Sequence, residues 1–167
     1  PRLYLGANTT LTINVTGTFH IVEGEFHNYG SVLNSGTIHN QAKYVNHKET
    51  RSINTFINET RHLDSLAFLI NNDSIVTSGT FTNKVNTTVT NNKYFENSGQ
   101  MHNYHLFTNV FGSYLVNKNY LTNYSNANIT NKSIIKVMSP NGVMDNYGIY
   151  LNNYETIVWG DYINRIG

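Results

Sequence analysis

Glu23 and Glu25 flank Gly24, a spacing that puts two carboxylates on one face of an extended strand. Paired carboxylates can act as general acid and general base on a glycosidic bond. The other acids, among them Asp64, Asp73, Asp145, Glu155 and Asp161, stand mostly alone among neutral residues. The seven histidines are His20, His27, His39, His47, His62, His102 and His105. Four follow an apolar residue directly, in Phe19-His20, Phe26-His27, Ile38-His39 and Met101-His102, and so face outward if the apolar residue faces inward. His27 and His39 would align in a coil of twelve residues, where a row of imidazoles could hold a metal. No acids accompany them in pattern, and no His-x-x-x-His pair occurs. With 0 Cys there is neither a thiolate site nor a disulfide. Gly-x-Gly-x-x-Gly, Walker and Gly-Gly-x-Gly-x-Asp motifs do not occur. The expectation is a protein with no catalytic residue, cofactor or metal site. Its Glu pair is solvated and its histidines form exposed rows.

What positions these groups is a repeat. Asparagine returns every sixth residue at Asn28, Asn34, Asn40 and Asn46, then Ser52 takes the slot, then Asn58. The phase resumes at Asn91, Asn97, Asn103 and Asn109, at Asn117 and Asn123, and at Asn146 and Asn152. The unit reads Asn-x-Gly-x-apolar-x, as in Asn34-Ser-Gly-Thr-Ile-His and Asn97-Ser-Gly-Gln-Met-His. After a one-residue slip, Asn71, Thr77 and Asn83 continue the phase. Slips of two precede Asn91, Asn117 and Asn131, and one of three precedes Asn146. AT-rich coding drift would raise Lys along with Asn, yet there are 28 Asn and 7 Lys. Selection for structure explains the spacing better.

A fixed short period implies stacked copies of one small unit. In a strand, the first, third and fifth residues of the hexad share one face, so Asn, Gly and the apolar residue are expected inside. By this phase Lys48 and Thr50 also fall inside, which predicts a bulge or loop there. The chain is poor in helix formers and rich in aromatic and β-branched residues. The fold class expected is all-β, a parallel β-solenoid with coils of twelve or eighteen residues. A flat antiparallel meander would need tight reversals, and Asn-Gly occurs only at Asn141-Gly142. One domain spans 1–167, with 1–27 an irregular terminal coil or cap and 28–167 the hexads. In coils about 4.8 Å apart, an Asn amide can donate to the next Asn and accept from the last. The ladder so predicted comprises Asn28, Asn34, Asn40, Asn46, Asn97, Asn103, Asn109, Asn117, Asn123, Asn146 and Asn152.

A net charge of +1 with 13% charged residues gives no polyanion-binding field, so no nucleic-acid partner is expected. No apolar run reaches the roughly 18 residues of a membrane span, so membrane insertion is not expected either. The chain begins at Pro1 rather than Met, as a processed or partial protein would. Eight Asn-x-Ser/Thr sequons occur, at Asn8, Asn14, Asn58, Asn72, Asn86, Asn123, Asn128 and Asn131. The phase puts Asn58, Asn123 and Asn131 inside, and leaves Asn72, Asn86 and Asn128 as the acceptors open to glycosylation.

Repeats such as Asn34-Ser-Gly-Thr-Ile-His-Asn resemble those of β-solenoid adhesin-like surface proteins of bacteria and methanogenic archaea. They are similar in kind to proteins of archaeal sheaths and extracellular filaments. The resemblance spans roughly residues 14 to 157. It implies a structural or adhesive role outside the cell or on its surface, and it carries no catalytic residue with it. The expected function is a self-associating subunit of a fibre, tube or sheath, its main partner being further copies of itself. One alternative is an adhesin or fibre-tip module that binds surface glycans, with Tyr29, Tyr104, Tyr120, Tyr124 and Trp159 as stacking platforms. The other is a polysaccharide-processing β-helix enzyme.

Overall fold

The computed structural model describes residues 1–52, 55–60 and 66–165. Within them lie 24 strands, mostly four residues long, and no helix. They form three parallel sheets of eight strands, each strand pairing with those three elements before and after it. The chain visits the first, second and third sheets in turn and then returns to the first, so eight coils stack along one axis.

Coil 2 shows the plan. Its strands are Glu25–Asn28, Ser31–Asn34 and Thr37–Asn40, joined by the two-residue corners Tyr29-Gly30, Ser35-Gly36 and Gln41-Ala42. Each strand is the last three residues of one hexad plus the Asn that opens the next. Three hexads close one turn, so Asn28 lies beneath Asn46, 18 residues on. The period of six is common to coils of twelve and eighteen, and packing selects eighteen because three walls enclose an interior for side chains. Two walls would press together.

Inside, the fifth position of each hexad builds the core. Phe26, Tyr44, Leu69, Val89, Phe107 and Ile129 project from the first sheet, and all are buried. The second sheet supplies Val32, Thr50, Ile75, Phe95, Leu115 and Ile135, and the third Ile38, Phe56, Phe81, Met101, Leu121 and Met144. Rings from different walls meet edge to face: Tyr44 and Phe56 at 5.4 Å, Phe81 and Phe95 at 5.0 Å, Phe95 and Phe107 at 5.6 Å. Such contacts add about 0.5–1.5 kcal/mol each beyond burial. Thr50 is inside, as its phase requires, because the Tyr44 hydroxyl meets its Oγ1 at 2.8 Å.

The asparagines stack into ladders at the end of each strand. In the first sheet Asn28, Asn46, Asn71, Asn91, Asn109, Asn131 and Asn152 bond in series, each Nδ2 donating to the next Oδ1 at 2.8–2.9 Å. In the third sheet the series is Asn40, Asn58, Asn83, Asn103, Asn123, Asn146 and Asn164. The second sheet is mixed. Asn34 donates to Ser52 Oγ and Asn97 to Asn117, but Val137 and Val158 end the row. Most of these Asn also donate to a carbonyl where the following strand begins, as Asn97 does to Tyr120 at 2.8 Å. Asn152 is a ladder member but exposed, because it lies in the last coil.

The hexad's third residue is buried where it is glycine, as the strand count suggested, at Gly30, Gly36, Gly99, Gly142 and Gly148, but not where it is lysine. It belongs to the corner, and Lys48 is accordingly exposed. Glycine is needed there for space: a Cβ on Gly36 would sit 2.2 Å from the Gly17 carbonyl oxygen of the coil beneath. The slips fall in longer corners, such as Lys84 to Asn86, Val110 to Ser113, Tyr124 to Ala127 and Met138 to Gly142. Residues 1–27 are more regular than their spacing suggests. Arg2–Leu5, Thr10–Ile13 and Thr18–Ile21 make a whole coil. Asn8 and Asn14 carry no ladder role, since both are exposed in corners, and the ladder slots of this coil are Leu5, Ile13 and Ile21.

Candidate functional site

The outer surface carries the titratable groups, and the 18-residue turn decides which of them meet. Outward residues of successive coils form columns at the strand spacing of about 4.8 Å. His20 stands beside His39, with ring centroids 4.8 Å apart and planes 6° from parallel. His27 does not align with His39; its partner in register is Val45. His62 and Asp64 lie outside the described residues.

The densest cluster surrounds Glu25 on the first sheet. Its carboxylate takes bonds from His27 Nε2 at 2.8 Å, Arg2 Nε at 3.1 Å and Lys43 Nζ at 3.2 Å. The hydrogen bonds from His27 and then Lys43 lower its pKa to about 2. A carboxyl held ionised in this way has no proton to give as an acid. Glu23 is exposed, and none of Glu25's bonds is to it. The two do not form the acid/base pair that their spacing allows. On its far side, His27 Nδ1 faces His47 Nε2 at 3.2 Å, and His47 in turn lies flat on Tyr29, 4.2 Å away with planes 2° apart. Desolvation, then the neighbouring His27, lowers the pKa of His47.

Elsewhere four acids pair with cations of adjacent coils. Glu59 meets His39 and Lys84, Glu96 meets Lys118, Asp73 meets Lys93, and Asp145 meets Arg165 at 2.6 Å. These are mostly exposed bridges worth about 0–1 kcal/mol each, so they trim the surface and do not hold the fold. Among the described residues, no three His, Asp or Glu side chains gather as a metal would need. His105 bonds the Thr87 carbonyl at 2.9 Å, and His102 meets Tyr124 at 3.3 Å.

The aromatic residues are spread over different walls and corners. Tyr29 follows the first sheet, Trp159 the second, and Tyr104 and Tyr124 the third, while Tyr120 points out from the third sheet itself. Tyr104 and Tyr124 stack on each other at 4.0 Å, 8° from parallel, so each covers a face of the other. The adjacent Tyr124 hydroxyl, with some desolvation, raises the Tyr104 pKa to about 12. A sugar ring needs a bare aromatic face. Tyr120 and Trp159, 53% and 59% exposed, offer more.

The ends of the stack present another kind of surface. Leu3, Phe19, Ile21 and Phe26 line a shallow apolar hollow at coil 1. Coil 8 exposes Leu151, Val158 and Trp159. Each sheet has an outermost strand at either end with one edge unpaired. The polar order of the slots beside these edges depends on the count of residues per turn, which the hexad pattern leaves open. No protein-family model, curated protein or solved structure matches this chain.

Proposed function

We propose that this chain is a structural subunit of an extracellular or cell-surface assembly, a fibre, tube or sheath, that associates with further copies through stacked coils. The observation that supports this reading is the stack itself: three parallel sheets of eight strands run along one axis around an apolar interior, each coil pairing its strands with those of its neighbours. An unpaired edge is a template for another strand, and a parallel sheet has different ends, so joining them head to tail gives an open series. Low charge removes the repulsion that keeps many surfaces apart. Glu59, Asp73, Glu96 and Asp145 each pair with a cation of an adjacent coil. Comparison with sheath, filament and adhesin-like proteins rests on the Asn-x-Gly hexads alone.

Negative-stain microscopy and sedimentation of the concentrated protein test it. Regular polymers of one width are expected, and particles that stay monomeric at high concentration would end the proposal.

A further inference from the structure

We infer that Tyr124 and Tyr147 form a slot for one pyranose ring of a neutral glycan, a binding activity beyond assembly. Tyr104, Tyr124, Tyr147 and Arg165 open the same corner of coils 5, 6, 7 and 8. Each amide bonds the Asn carbonyl of the coil before it at 2.8–2.9 Å, so the four side chains make one column along the axis. Tyr104 covers the coil-5 side of the Tyr124 ring, with centroids 4.0 Å apart. The Arg165 guanidinium covers the coil-8 side of Tyr147, 5.2 Å from the ring centroid. The remaining face of each tyrosine looks toward the other, and a hollow lies there.

The rest of its lining is polar. Thr122 and Asp145 are register partners on adjacent strands of the third sheet, and Ser125 is exposed in the corner after Tyr124. Among the described residues, the Thr122 and Ser125 hydroxyls bond to no other group of the chain, so both are open to a ligand. The hollow has a volume of about 380 Å³. That is at the lower end of the roughly 300–1,000 Å³ of small-molecule sites, which suits one ring.

Charge selects the ligand. Arg165 already occupies one face of Tyr147 and bonds Asp145 Oδ1 at 2.6 Å, so a second cation gains little from the ring and meets a like charge. The Asp145 carboxylate disfavours an anion, and with it the phosphate of a nucleotide. A neutral ligand remains. A pyranose has C–H groups on both faces and hydroxyls around its rim, which matches two aromatic walls with hydroxyls and a carboxylate between them. A lone exposed ring such as Tyr120 offers one wall only.

Titration calorimetry and saturation-transfer NMR with cellotriose, maltotriose, mannotriose and tri-N-acetylchitotriose test the slot. At least one should bind with a Kd of order 1 mM. Tyr147→Ala removes a wall and should weaken that binding about tenfold, whereas Tyr147→Phe keeps the wall and should stay within about threefold. Thr122→Val should cost about three- to tenfold through one lost hydrogen bond. Tyr120→Ala, on the same sheet outside the slot, should change nothing. All four variants should keep the β-sheet circular dichroism of the parent. If no trisaccharide binds at about 10 mM, the slot is not a sugar site. Binding that survives Tyr147→Ala, or that falls equally with Tyr120→Ala, would place the sugar elsewhere and overturn the assignment. Tetramethylammonium bound where the sugars are not would give the rings to a cation and overturn it too. Each result reads the same whether or not copies polymerise, since one chain builds the whole slot.

Discussion

A buried amide must place two donors and an acceptor, and the ladders do this by giving most of their asparagines the same kinds of neighbour. Asn97 shows what one rung is worth. It donates to Asn117 Oδ1 at 2.7 Å and to the Tyr120 carbonyl at 2.8 Å, and it takes Thr77 Oγ1 at 3.5 Å. Asn97→Leu should cost about 1–3 kcal/mol in urea unfolding despite being more apolar, because the groups left behind stay buried. The unpartnered Asn40 Oδ1 gives a finer test. Ile21→Asn places a donor below it, whereas Ile13→Asn meets Asn34 Oδ1, already bonded to the Gly36 amide at 3.0 Å. Ile21→Asn should therefore destabilise less than Ile13→Asn in the same unfolding experiment. On the outer face, Glu25 has a depressed folded-state pKa, so its contribution is complete above the unfolded value near 4.3 and is lost as pH falls toward about 2. Glu25→Gln should melt below the parent at pH 6, and the two melting temperatures should converge near pH 2. The sequons divide by the same inner and outer faces. Asn58, Asn123 and Asn131 are buried in ladders, while Asn72 is exposed and Asn86 and Asn128 are half-buried on the outside. Peptide mapping of native material should find any glycan on the second group, or on the exposed Asn8 and Asn14, and none on Asn58, Asn123 or Asn131.

The strand is the last four residues of a shifted hexad, and the corner is what remains. That division separates what could be read in advance from what could not. Asn every six residues, with an apolar residue two before it, announces a parallel stack, since only stacked neighbours satisfy a buried amide in each repeat. The number of hexads per turn was hidden because Asn34 to Asn40 looks the same whether the turn closes after two units or three. Every outer contact depends on that number. His20 with His39 and Tyr104 with Tyr124 are pairs 19 and 20 residues apart, and no local pattern marks them. The long corners were visible only as slips. Their hydroxyl braces, such as Ser113 Oγ donating to Asn109 Oδ1 at 2.7 Å, follow an Asn-x-x-x-Ser/Thr spacing that the hexad count obscured. The corner glycines can be told apart by substitution. A Cβ on Gly99 would meet the Gly79 oxygen at 2.0 Å and the Ser78 oxygen at 2.5 Å, both rigid backbone. On Gly112 it would meet nothing within 4 Å, although φ is +82°. Gly99→Ala should cost near the upper end of about 1–3 kcal/mol, and Gly112→Ala about 1 kcal/mol, from thermal melts of the two variants.

As a whole, the molecule is nearly one-dimensional, with each coil touching only the coil on either side. A coil can then be removed without disturbing the rest. Asn91 and Asn109 occupy the same slot 18 residues apart, so deleting residues 92–109 takes out one turn and preserves every ladder. The shortened protein should fold with the same circular dichroism and unfold with an enthalpy lower by about one eighth, checked by calorimetry. Association between copies is apolar and backbone-driven in this reading, so molar salt should leave polymers intact in a sedimentation assay. The ladders add one more property. Each amide nitrogen faces a backbone carbonyl as well as the next Oδ1, which allows only one orientation of the group. Along the first and third sheets every amide points its nitrogen toward coil 8 and its oxygen toward coil 1. An amide has a dipole of about 3.5 D, and aligned dipoles add. The particle is a small electret, positive at the end where the amides point and negative at the other. A polymer that kept this sense would lengthen the dipole with each copy, and its filaments in solution would turn to align with an applied electric field.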